Sequence, residues 1–390
     1  MSVDIESQFR PSHDEHARQQ FVSMLRKHAI IHMSAQLKSR YDGTVEPRLA
    51  AQGKTPKSWR DIREAMRDDP VYRFYSSTRY NAQEMCFLSV QPTIERNLDN
   101  LMATAARAAD SPKSGGSLKL DSILKIPVYV SQLDVHLAPG YTHLEHVEDD
   151  ISQGAVIAFG GKVFTGQYPY RRSYGSIGES VSYWVSKQYP MLTPRRILDL
   201  GTCSGKNLLP FHERFPEAEL FGVDVGAPVL RFGHACAENA GVAAHYSQQN
   251  AEQMNFADGS FDIITSSFFL HEVPVAVTRR ILSECKRLLS PGGVMVHMEL
   301  PNEAAVSDYE NFFWNWDTQN NNEPHYTHFR SQDVGALCAG AGFEPKQIFT
   351  RLIPDLGGNG TDVADACIAE ELATPSHGRG GWFVFGARKG

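Results

Sequence analysis

The sequence has few of the features that mark secreted, membrane-spanning or nucleic-acid-binding proteins. It has six cysteines among 390 residues and no C-x-x-C pair, so neither a disulfide framework nor a thiolate zinc site is implied. No apolar run reaches the roughly 20 residues of a membrane span, and the polar N-terminus is unlike a signal peptide. There is no long basic run and the formal net charge is −7, which argues against a nucleic-acid track. We therefore expect a cytoplasmic protein that binds neither nucleic acid nor membrane.

The length exceeds that of a typical domain of about 100 to 200 residues, which predicts more than one lobe. Residues 1–125 have helical periodicity and predict an N-terminal helical lobe that covers a substrate or mediates dimerisation. Residues 126–190 predict a β-containing connector, with strands at 127–137, 155–159 and 162–165 and a hairpin turn at Gly160-Gly161. Residues 191–390 alternate predicted strands and helices, which indicates a mostly parallel α/β sheet with helices on both faces.

The most informative pattern is a β-turn-α-β unit at the start of this last segment. An apolar run ends with Asp199, a turn with Gly201 and Gly205 follows, and a second apolar run ends with Asp224. Glycines allow the backbone to turn tightly and to approach a ligand closely. A carboxylate at the end of the second strand can accept hydrogen bonds from both ribose hydroxyls. The unit therefore predicts a site for a nucleotide or nucleoside.

The residue pattern of the turn distinguishes two classes of cofactor. Nicotinamide and flavin enzymes have G-x-G-x-x-G, which presents a helix N-terminus to a pyrophosphate. Here the pattern is D-x-G-x-x-x-G, with Cys203 between the glycines. A carboxylate repels a pyrophosphate but attracts the ammonium of a methionyl group, so the turn suits S-adenosylmethionine (SAM). At these residues the chain resembles the class I SAM-dependent methyltransferases, nearest to the ubiquinone and menaquinone methyltransferase-like branch.

The resemblance covers roughly residues 195–300 and implies a Rossmann-like fold closed by an antiparallel hairpin. Asn250 stands where the family usually has aspartate, and its amide can still bond an adenine amino group. In the resembled fold, the segment before the first strand commonly closes over the cofactor, so Tyr174 is expected to contact it. The cofactor-binding residues predicted from the resemblance are Tyr174, Asp199, Gly201, Thr202, Gly205, Asp224, Val225, Asn250, Ala251, Glu252, Ser267 and Phe268.

Two candidate catalytic residues follow the fourth strand of the sheet. The resemblance places His271 and Glu272 within reach of the transferred methyl group. Histidine is the natural general base near neutral pH and needs a carboxylate or carbonyl to orient it. The alternative is that His271 packs structurally, as it does in many members of the family.

The candidate substrate-binding residues lie in two segments rich in aromatic and hydrogen-bonding side chains. Residues 311–333 mix both types without helical period, which is typical of a polar pocket for a small substrate. The same composition also occurs in loops between subunits, so an interface is the alternative. The candidates are Tyr170, Arg171, Arg172, Trp314, Trp316, Asn320, His325, Tyr326, His328 and Arg330.

A third segment contains several groups that could bind a metal ion. His136, His143 and His146 lie close in sequence to Glu145 and two aspartates, and imidazole with carboxylate suits zinc or iron. The other interpretation is a polar loop near the mouth of the substrate site. We favour the polar loop and expect no metal.

The sequence thus predicts a SAM-dependent methyltransferase acting on a small molecule. O-methylation is preferred, with carbon, nitrogen and sulfur acceptors left open. Nucleobase methylation is disfavoured, because Ser266 to Phe269 replace the Asn- or Asp-Pro-Pro-aromatic tetrapeptide of enzymes that methylate planar nitrogens. Two alternatives remain: cyclisation or rearrangement with the same cofactor, and a non-catalytic SAM-binding partner subunit. A homodimer is compatible with either.

Overall fold

The computed structural model describes residues 5–166 and 176–390, and it is built around one eight-stranded sheet. The strand order is β1-β4-β3-β2-β5-β6-β8-β7, with β1 to β6 parallel and β8 antiparallel to both of its neighbours. The strands are β1 (Ser117–Lys119), β2 (Arg196–Leu200), β3 (Glu219–Asp224), β4 (Ala244–Gln248), β5 (Phe261–Ser267), β6 (Leu289–Glu299), β7 (Ile348–Pro354) and β8 (Gly381–Arg388). The expected α/β fold with a closing antiparallel hairpin is confirmed.

Helices cover both faces of the sheet and form the N-terminal part of the chain. The helices are α1 (His13–His28), α2 (Ser34–Arg40), α3 (Glu46–Ala51), α4 (Trp59–Met66), α5 (Pro70–Leu88), α6 (Gln91–Asp110), α7 (Val128–Ser131), α8 (Ser152–Thr165), α9 (Ser176–Gln188), α10 (Pro210–Arg214), α11 (Ala227–Ala240), α12 (Val275–Leu288), α13 (Asp308–Asp317), α14 (Tyr326–Arg330), α15 (Val334–Gly340) and α16 (Leu356–Ile368). Within the described ranges, none of these helices has the length and apolarity needed to cross a membrane.

Alternate residues of the central strands enter two separate hydrophobic clusters. Leu198 and Ile264 are buried with residues of α12, whereas Ile197 and Ile263 are buried with residues of α9 and α11. Successive side chains of a strand point to opposite faces, so both faces of the sheet are covered. The carboxyl ends of the parallel strands remain as the edge where a ligand can bind.

The predicted β structure of the connector is wrong. Residues 127–137 contain the short helix α7 and a 3₁₀ turn, and the predicted hairpin at 155–165 is the helix α8. A short apolar run does not distinguish a strand from a buried helix, and Gly160 was misleading as a turn signal. A Cβ at Gly160 would lie 2.5 Å from the Phe87 ring, and one at Gly154 would lie 2.4 Å from Phe232 Cβ. These glycines let α8 pack closely against α5 and α11.

Two other expectations change in detail. Residues 311–333, expected to lack helical period, lie mostly in α13, a 3₁₀ turn and α14. The predicted helical lobe also contributes to the sheet, because Ser117–Lys119 pair with β4. The segments around 126 to 190 and before 125 are therefore largely helical, and they pack on the sheet domain rather than forming a β connector.

Candidate functional site

A cavity of about 640 Å³ lies at the carboxyl ends of the parallel strands. Its wall combines predicted cofactor residues with predicted acceptor residues, so both halves of the expected site open into one space. The predicted residues in the wall are Gly201, Asp224, Val225, Asn250, Ala251, Ser267, Phe268, His271, Glu272, Trp314 and Tyr326. A volume of this size is within the range of small-molecule sites.

The turn after β2 is held by the carboxylate at the end of β3. Asp224 accepts hydrogen bonds from the backbone N–H groups of Cys203 at 3.0 Å and Gly226 at 2.9 Å. Gly201 has φ +59°, and a Cβ there would lie 2.4 Å from the Phe269 ring. Gly205 has φ +74°, and a Cβ there would lie 1.9 Å from the Tyr246 hydroxyl oxygen. Both glycines are required by the left-handed backbone and by the close approach of Phe269 and Tyr246.

Two buried carboxylates sit beside this turn. Burial raises the pKa of Asp199 to about 7, and the charge of Asp224 adds to that shift. Burial also raises the pKa of Asp224, although the N–H groups of Gly226 and Cys203 oppose the shift. Asp224 lines the cavity, whereas Asp199 lies behind it and is 2% exposed. Among the described residues neither carboxylate forms an ion pair, so a cationic ligand would stabilise both.

Of the three cofactor residues predicted in the segment after β4, two line the cavity and one does not. Asn250 and Ala251 line the cavity, and Asn250 Oδ1 accepts a hydrogen bond from the N–H of Glu252. The Glu252 side chain is directed elsewhere: it accepts hydrogen bonds from the Tyr129 hydroxyl at 2.8 Å and from Arg280 at 2.5 Å. Glu252 therefore anchors Tyr129, which does line the cavity. Thr202 and Gly205, like Glu252, are not part of the cavity wall.

Five alternating carboxylates and imidazoles form what we call the charge chain: Glu299, His271, Glu272, His136 and Glu323. His271 Nδ1 lies 2.6 Å from Glu299 Oε2, and its Nε2 lies 3.4 Å from Glu272 Oε1. His136 Nε2 lies 3.2 Å from Glu272 Oε1, and its Nδ1 lies 3.0 Å from Glu323 Oε1. Glu299 also accepts hydrogen bonds from the backbone at Phe269 and Leu270, which fixes the loop after β5. The charge chain thus joins four distant parts of the sequence at the cavity.

The electrostatics of the charge chain favour two cationic imidazoles. Burial opposes the charged form, but Glu272 and Glu323 outweigh it and raise the pKa of His136 to about 10. Burial opposes it again at His271, where Glu299 and Glu272 raise the pKa well above the usual range. Burial alone would raise the pKa of Glu272, but the two histidines lower it instead. A base role for His271 therefore requires that Nε2 first be released from Glu272.

Four of the ten predicted substrate residues lie in or behind the aromatic part of the cavity wall or in the core. Trp314 and Tyr326 line the cavity. Arg330 is 1% exposed and lies behind them, with its guanidinium carbon 4.7 Å from the Trp314 ring centre and 5.8 Å from that of Tyr326. Trp316 is a core residue, 3% exposed, whose Nε1 donates to Ser76 at 2.8 Å. The wall therefore has an aromatic surface supported by a buried cation.

Three other predicted substrate residues lie away from the cavity wall, and three lie outside the described residues. The Asn320 amide donates to the Trp316 carbonyl at 2.9 Å, as a helix-terminal contact. His325 is half-buried and His328 is exposed, and neither lines the cavity. Tyr170, Arg171 and Arg172, together with the predicted cofactor residue Tyr174, fall between 167 and 175, outside the described residues.

The histidine cluster predicted from residues 136–146 is divided in the structure. His136 lines the cavity, but the cavity wall includes neither His143 nor His146. His146 is exposed, and burial lowers the pKa of His143. The residues that accompany His136 come instead from distant parts of the chain.

Several non-glycine residues that line this cavity have positive φ. His136 (φ 60°), Tyr141 (φ 43°), Cys203 (φ 50°) and Phe268 (φ 52°) all line it. Left-handed backbone costs a non-glycine residue roughly 1–2 kcal/mol. Such conformations concentrate at ligand sites, where the surrounding structure compensates for them.

Sequence reasoning did not identify several residues of this site. Tyr129 lies in the segment 127–137 that the sequence predicts as a strand, and Tyr141 lies in the polar segment after it, so the positions of both side chains could not be inferred. Glu323 lies in the polar segment 311–333, whose pattern does not distinguish it from its neighbours. Glu299 could have been found, because it ends β6 at the carboxyl edge of a parallel sheet, where ligand-site residues gather.

Comparison with known proteins gives this site a family. Residues 197–293 match the model of a family described as a methyltransferase domain. A demethylmenaquinone methyltransferase of Thermus thermophilus is 37% identical over 108 residues, which cover 28% of this chain and 48% of that protein. A ubiquinone/menaquinone biosynthesis C-methyltransferase, UbiE, of Dinoroseobacter shibae is 32% identical over 142 residues, covering 34% and 55%. The chain thus spans about half the length of these relatives.

Among solved structures, a SAM-dependent methyltransferase from Aquifex aeolicus aligns with 15% identity. The alignment covers 55% of this chain and 93% of that one, with a TM-score of 0.36. The family match coincides with the β-turn-α-β unit and the strands that position the cavity. The methyltransferase domain predicted from Asp199, Gly201, Gly205 and Asp224 is confirmed over residues 197–293.

Proposed function

Residues 197–293 form a class I SAM-dependent methyltransferase domain, and on this basis we propose that the protein methylates an oxygen atom of a small-molecule acceptor. The observation that carries the proposal is the single cavity shared by the β2 turn and the charge chain. A methyl donor and an acceptor bound in one enclosed space can react directly.

The cofactor half of the cavity has the donors and acceptors that SAM requires. Asp224 would accept hydrogen bonds from the ribose hydroxyls, while Asn250, Ala251 and Tyr129 border the place for the adenine. Asp199, buried behind the wall without a cationic partner among the described residues, would attract the methionyl ammonium through its charge. Bound SAM supplies an electrophilic methyl group on a sulfonium. The residues of this half bind and orient, and take no covalent part.

The acceptor half has aromatic walls and one carboxylate oxygen that is available for a hydrogen bond. Glu272 lines the cavity, and its buried Oε2 has no hydrogen-bond partner among the described residues. A hydroxyl group donates the hydrogen bond that such an oxygen needs, whereas a carbon acceptor has no equivalent donor. Trp314, Tyr326 and Phe268 provide flat apolar surfaces against which a ring could pack.

These residues account for catalysis mainly by positioning. Holding an acceptor oxygen in line with the methyl carbon can contribute several kcal/mol without a catalytic triad. Glu272 orients the hydroxyl, and His271, fixed by Glu299, holds Glu272 in place through Nε2. The proton of the hydroxyl then passes to the Glu272 carboxylate, because the electrostatics favour a His271 that is already protonated. Because one relative is named a C-methyltransferase, methylation of a ring carbon beside a hydroxyl is the second candidate.

Incubation with isotopically labelled SAM and a panel of phenols and enols tests the proposal. We expect labelled methyl ethers, identified by mass spectrometry and by the NMR shift of the methyl group. Methyl groups found on carbon would replace the oxygen assignment with the second candidate. Tight SAM binding without any turnover would favour a non-catalytic subunit, and unlabelled cyclised products would favour a cyclase. Tight NADH binding would overturn the cofactor assignment.

A further inference from the structure

Three groups of the charge chain could have a second role, beyond the orientation of the acceptor by Glu272. We propose that His136, Glu272 and Glu323 bind a divalent metal ion at the cavity wall. One ligand atom from each of the three lies within 4.8 Å of the others. An ion with ligand bonds of about 2.1 Å holds its ligands within about 4.2 Å of one another, so the set needs to contract by less than about 1 Å.

The donor chemistry narrows the choice of ion. One imidazole and two carboxylates form a mixed nitrogen and oxygen set, which suits Mn²⁺, Fe²⁺ or Zn²⁺ better than Mg²⁺ or Ca²⁺. A divalent cation would neutralise the two carboxylates, which face histidines and Asn321 rather than lysine or arginine among the described residues. We therefore expect an ion of the Mn²⁺ or Zn²⁺ type.

Two orphaned polar atoms point independently to a missing ligand at this place. Glu272 Oε2 and Asn321 Oδ1 are both buried, and neither has a hydrogen-bond partner among the described residues. The Glu272 side chain is 9% exposed and Asn321 is 6% exposed. Buried polar atoms are almost always paired, so two orphans in one cluster call for an explanation. Asn321 contacts His136 Nδ1 and Glu323 through its amide nitrogen, so a 180° rotation of the amide would present its oxygen as a fourth candidate ligand.

The ligands come from three separate parts of the chain, which explains why the sequence predicted a different grouping. That grouping joined His136 to His143 and His146, and it led to the expectation of a protein without a metal. In the structure His146 is exposed and lies outside the cavity wall. His146 is therefore a matched control histidine from the same segment.

The metal site also indicates which groups of the acceptor would coordinate the ion. This inference about the acceptor rests on the proposed function. His136, Glu272, Glu323 and Asn321 all line the cavity, so the remaining coordination positions would face the bound acceptor. Hydroxyl oxygens are suitable ligands for those positions, and a Lewis acid polarises them. Acceptors with two adjacent oxygens, such as vicinal diols on a ring, would fill two positions at once.

Metal binding can be measured directly and without any acceptor. Protein purified without an affinity tag is treated with chelator, dialysed and titrated with Mn²⁺, and free Mn²⁺ is followed by electron paramagnetic resonance. We expect one ion per chain with half-saturation in the micromolar range. His136→Ala and Glu323→Gln should each weaken binding at least tenfold, whereas His146→Ala should bind as the wild type does.

Calorimetry with SAM in the same preparations verifies that each variant retains its fold. If His136→Ala does not fold, the isosteric variant Glu323→Gln still tests the metal site. Absence of Mn²⁺ uptake by the wild type at millimolar concentration would overturn the proposal, as would unchanged affinity in both ligand variants. Specific Mn²⁺ binding without methyl transfer to any acceptor would leave the metal site standing and refute the proposed function alone.

Discussion

The guanidinium carbon of Arg330 lies 4.7 Å from the centre of the Trp314 ring. Arg330 is almost fully buried, yet its hydrogen bonds go to neutral oxygens: the Pro301 carbonyl, Asn315 Oδ1 and Asn311 Oδ1. Its charge is therefore offset by dipoles and aromatic faces rather than by a carboxylate. Arg330 supports the acceptor wall and does not itself line the cavity.

Replacement of Arg330 should affect the fold and the acceptor more than the cofactor. Arg330→Lys loses the planar fork and leaves buried oxygens unpaired, which should lower the free energy of unfolding by about 1–3 kcal/mol. The acceptor KM should rise while SAM affinity stays the same. Denaturant unfolding and calorimetry measure the two effects. His328→Ala, exposed on the same helix, is the control and should change neither quantity.

Asp224 should be the most sensitive of the cofactor residues. Asp224→Asn and Asp224→Ala remove a charged acceptor, and calorimetry should show SAM binding weakened by roughly 1.5–3 kcal/mol. The alanine variant should also lose stability, because Asp224 holds the N–H groups of Cys203 and Gly226. Glu252→Gln should leave SAM affinity within about twofold, because Glu252 faces Tyr129 and Arg280. Equal effects at both positions would refute this division.

Asp199 predicts a pH dependence of cofactor binding. Burial raises its pKa to about 7 in the unliganded protein, and a cationic ligand favours the ionised form. Below pH 7 binding must release a proton, so SAM affinity should rise with pH up to about 7 and then level off. Asp199→Asn should bind weakly at every pH.

The same shift has the opposite consequence for the unliganded fold. A carboxyl with a raised folded-state pKa holds its proton between about pH 4 and 7 and destabilises the fold once it is ionised. Asp199→Asn without ligand should therefore melt at a higher temperature than the wild type at pH 8, and the two should converge near pH 4. Parallel melting curves across this range would contradict the assignment.

The variant His271→Ala distinguishes a catalytic role of this histidine from a packing role. If it shares the proton of the acceptor hydroxyl with Glu272, His271→Ala should lower turnover by about 10²- to 10⁴-fold with SAM affinity nearly unchanged. A packing histidine would instead lower melting temperature and turnover together. Turnover, SAM affinity and melting temperature are measured on the same variant. Full turnover in the variant would eliminate the catalytic role.

Two adjacent glycines test the helix that replaced the predicted hairpin. Gly160→Ala should destabilise the protein by more than about 1 kcal/mol, because its Cβ would meet the Phe87 ring at 2.5 Å. Gly161→Ala meets nothing within 4 Å, and should stabilise α8 by up to about 1 kcal/mol through helix propensity. Denaturant unfolding compares them. Equal shifts in the same direction would contradict the packing.

The sheet could be predicted from the sequence because its strands have short apolar runs with clear limits. The apolar run that ends with Asp199 lies in β2, and the run that ends with Asp224 ends at the last residue of β3. The turn at Gly201 and Gly205 could be located because left-handed backbone restricts residue type.

The acceptor half could not be predicted because its residues meet only in the tertiary structure. Trp316 and Arg330 have the composition of pocket residues but are buried in the core behind the wall. Burial depends on which face of a short helix meets its neighbours, and α14 has five residues, too few to reveal a period. His136 was singled out, but its partners Glu272 and Glu323 lie more than a hundred residues away.

Strand β1 has a consequence for how the chain can be divided. Ser117, Leu118 and Lys119 pair in parallel with His245, Tyr246 and Ser247, and this pairing covers the outer side of β4. Without it, β4 would present a row of unpaired N–H and C=O groups, which readily recruit a second chain. A protein cut after residue 125 would therefore keep the whole methyltransferase match yet expose an adhesive sheet edge. Strand β1, contributed by the N-terminal part of the chain, therefore protects the edge of β4 from pairing with a second chain.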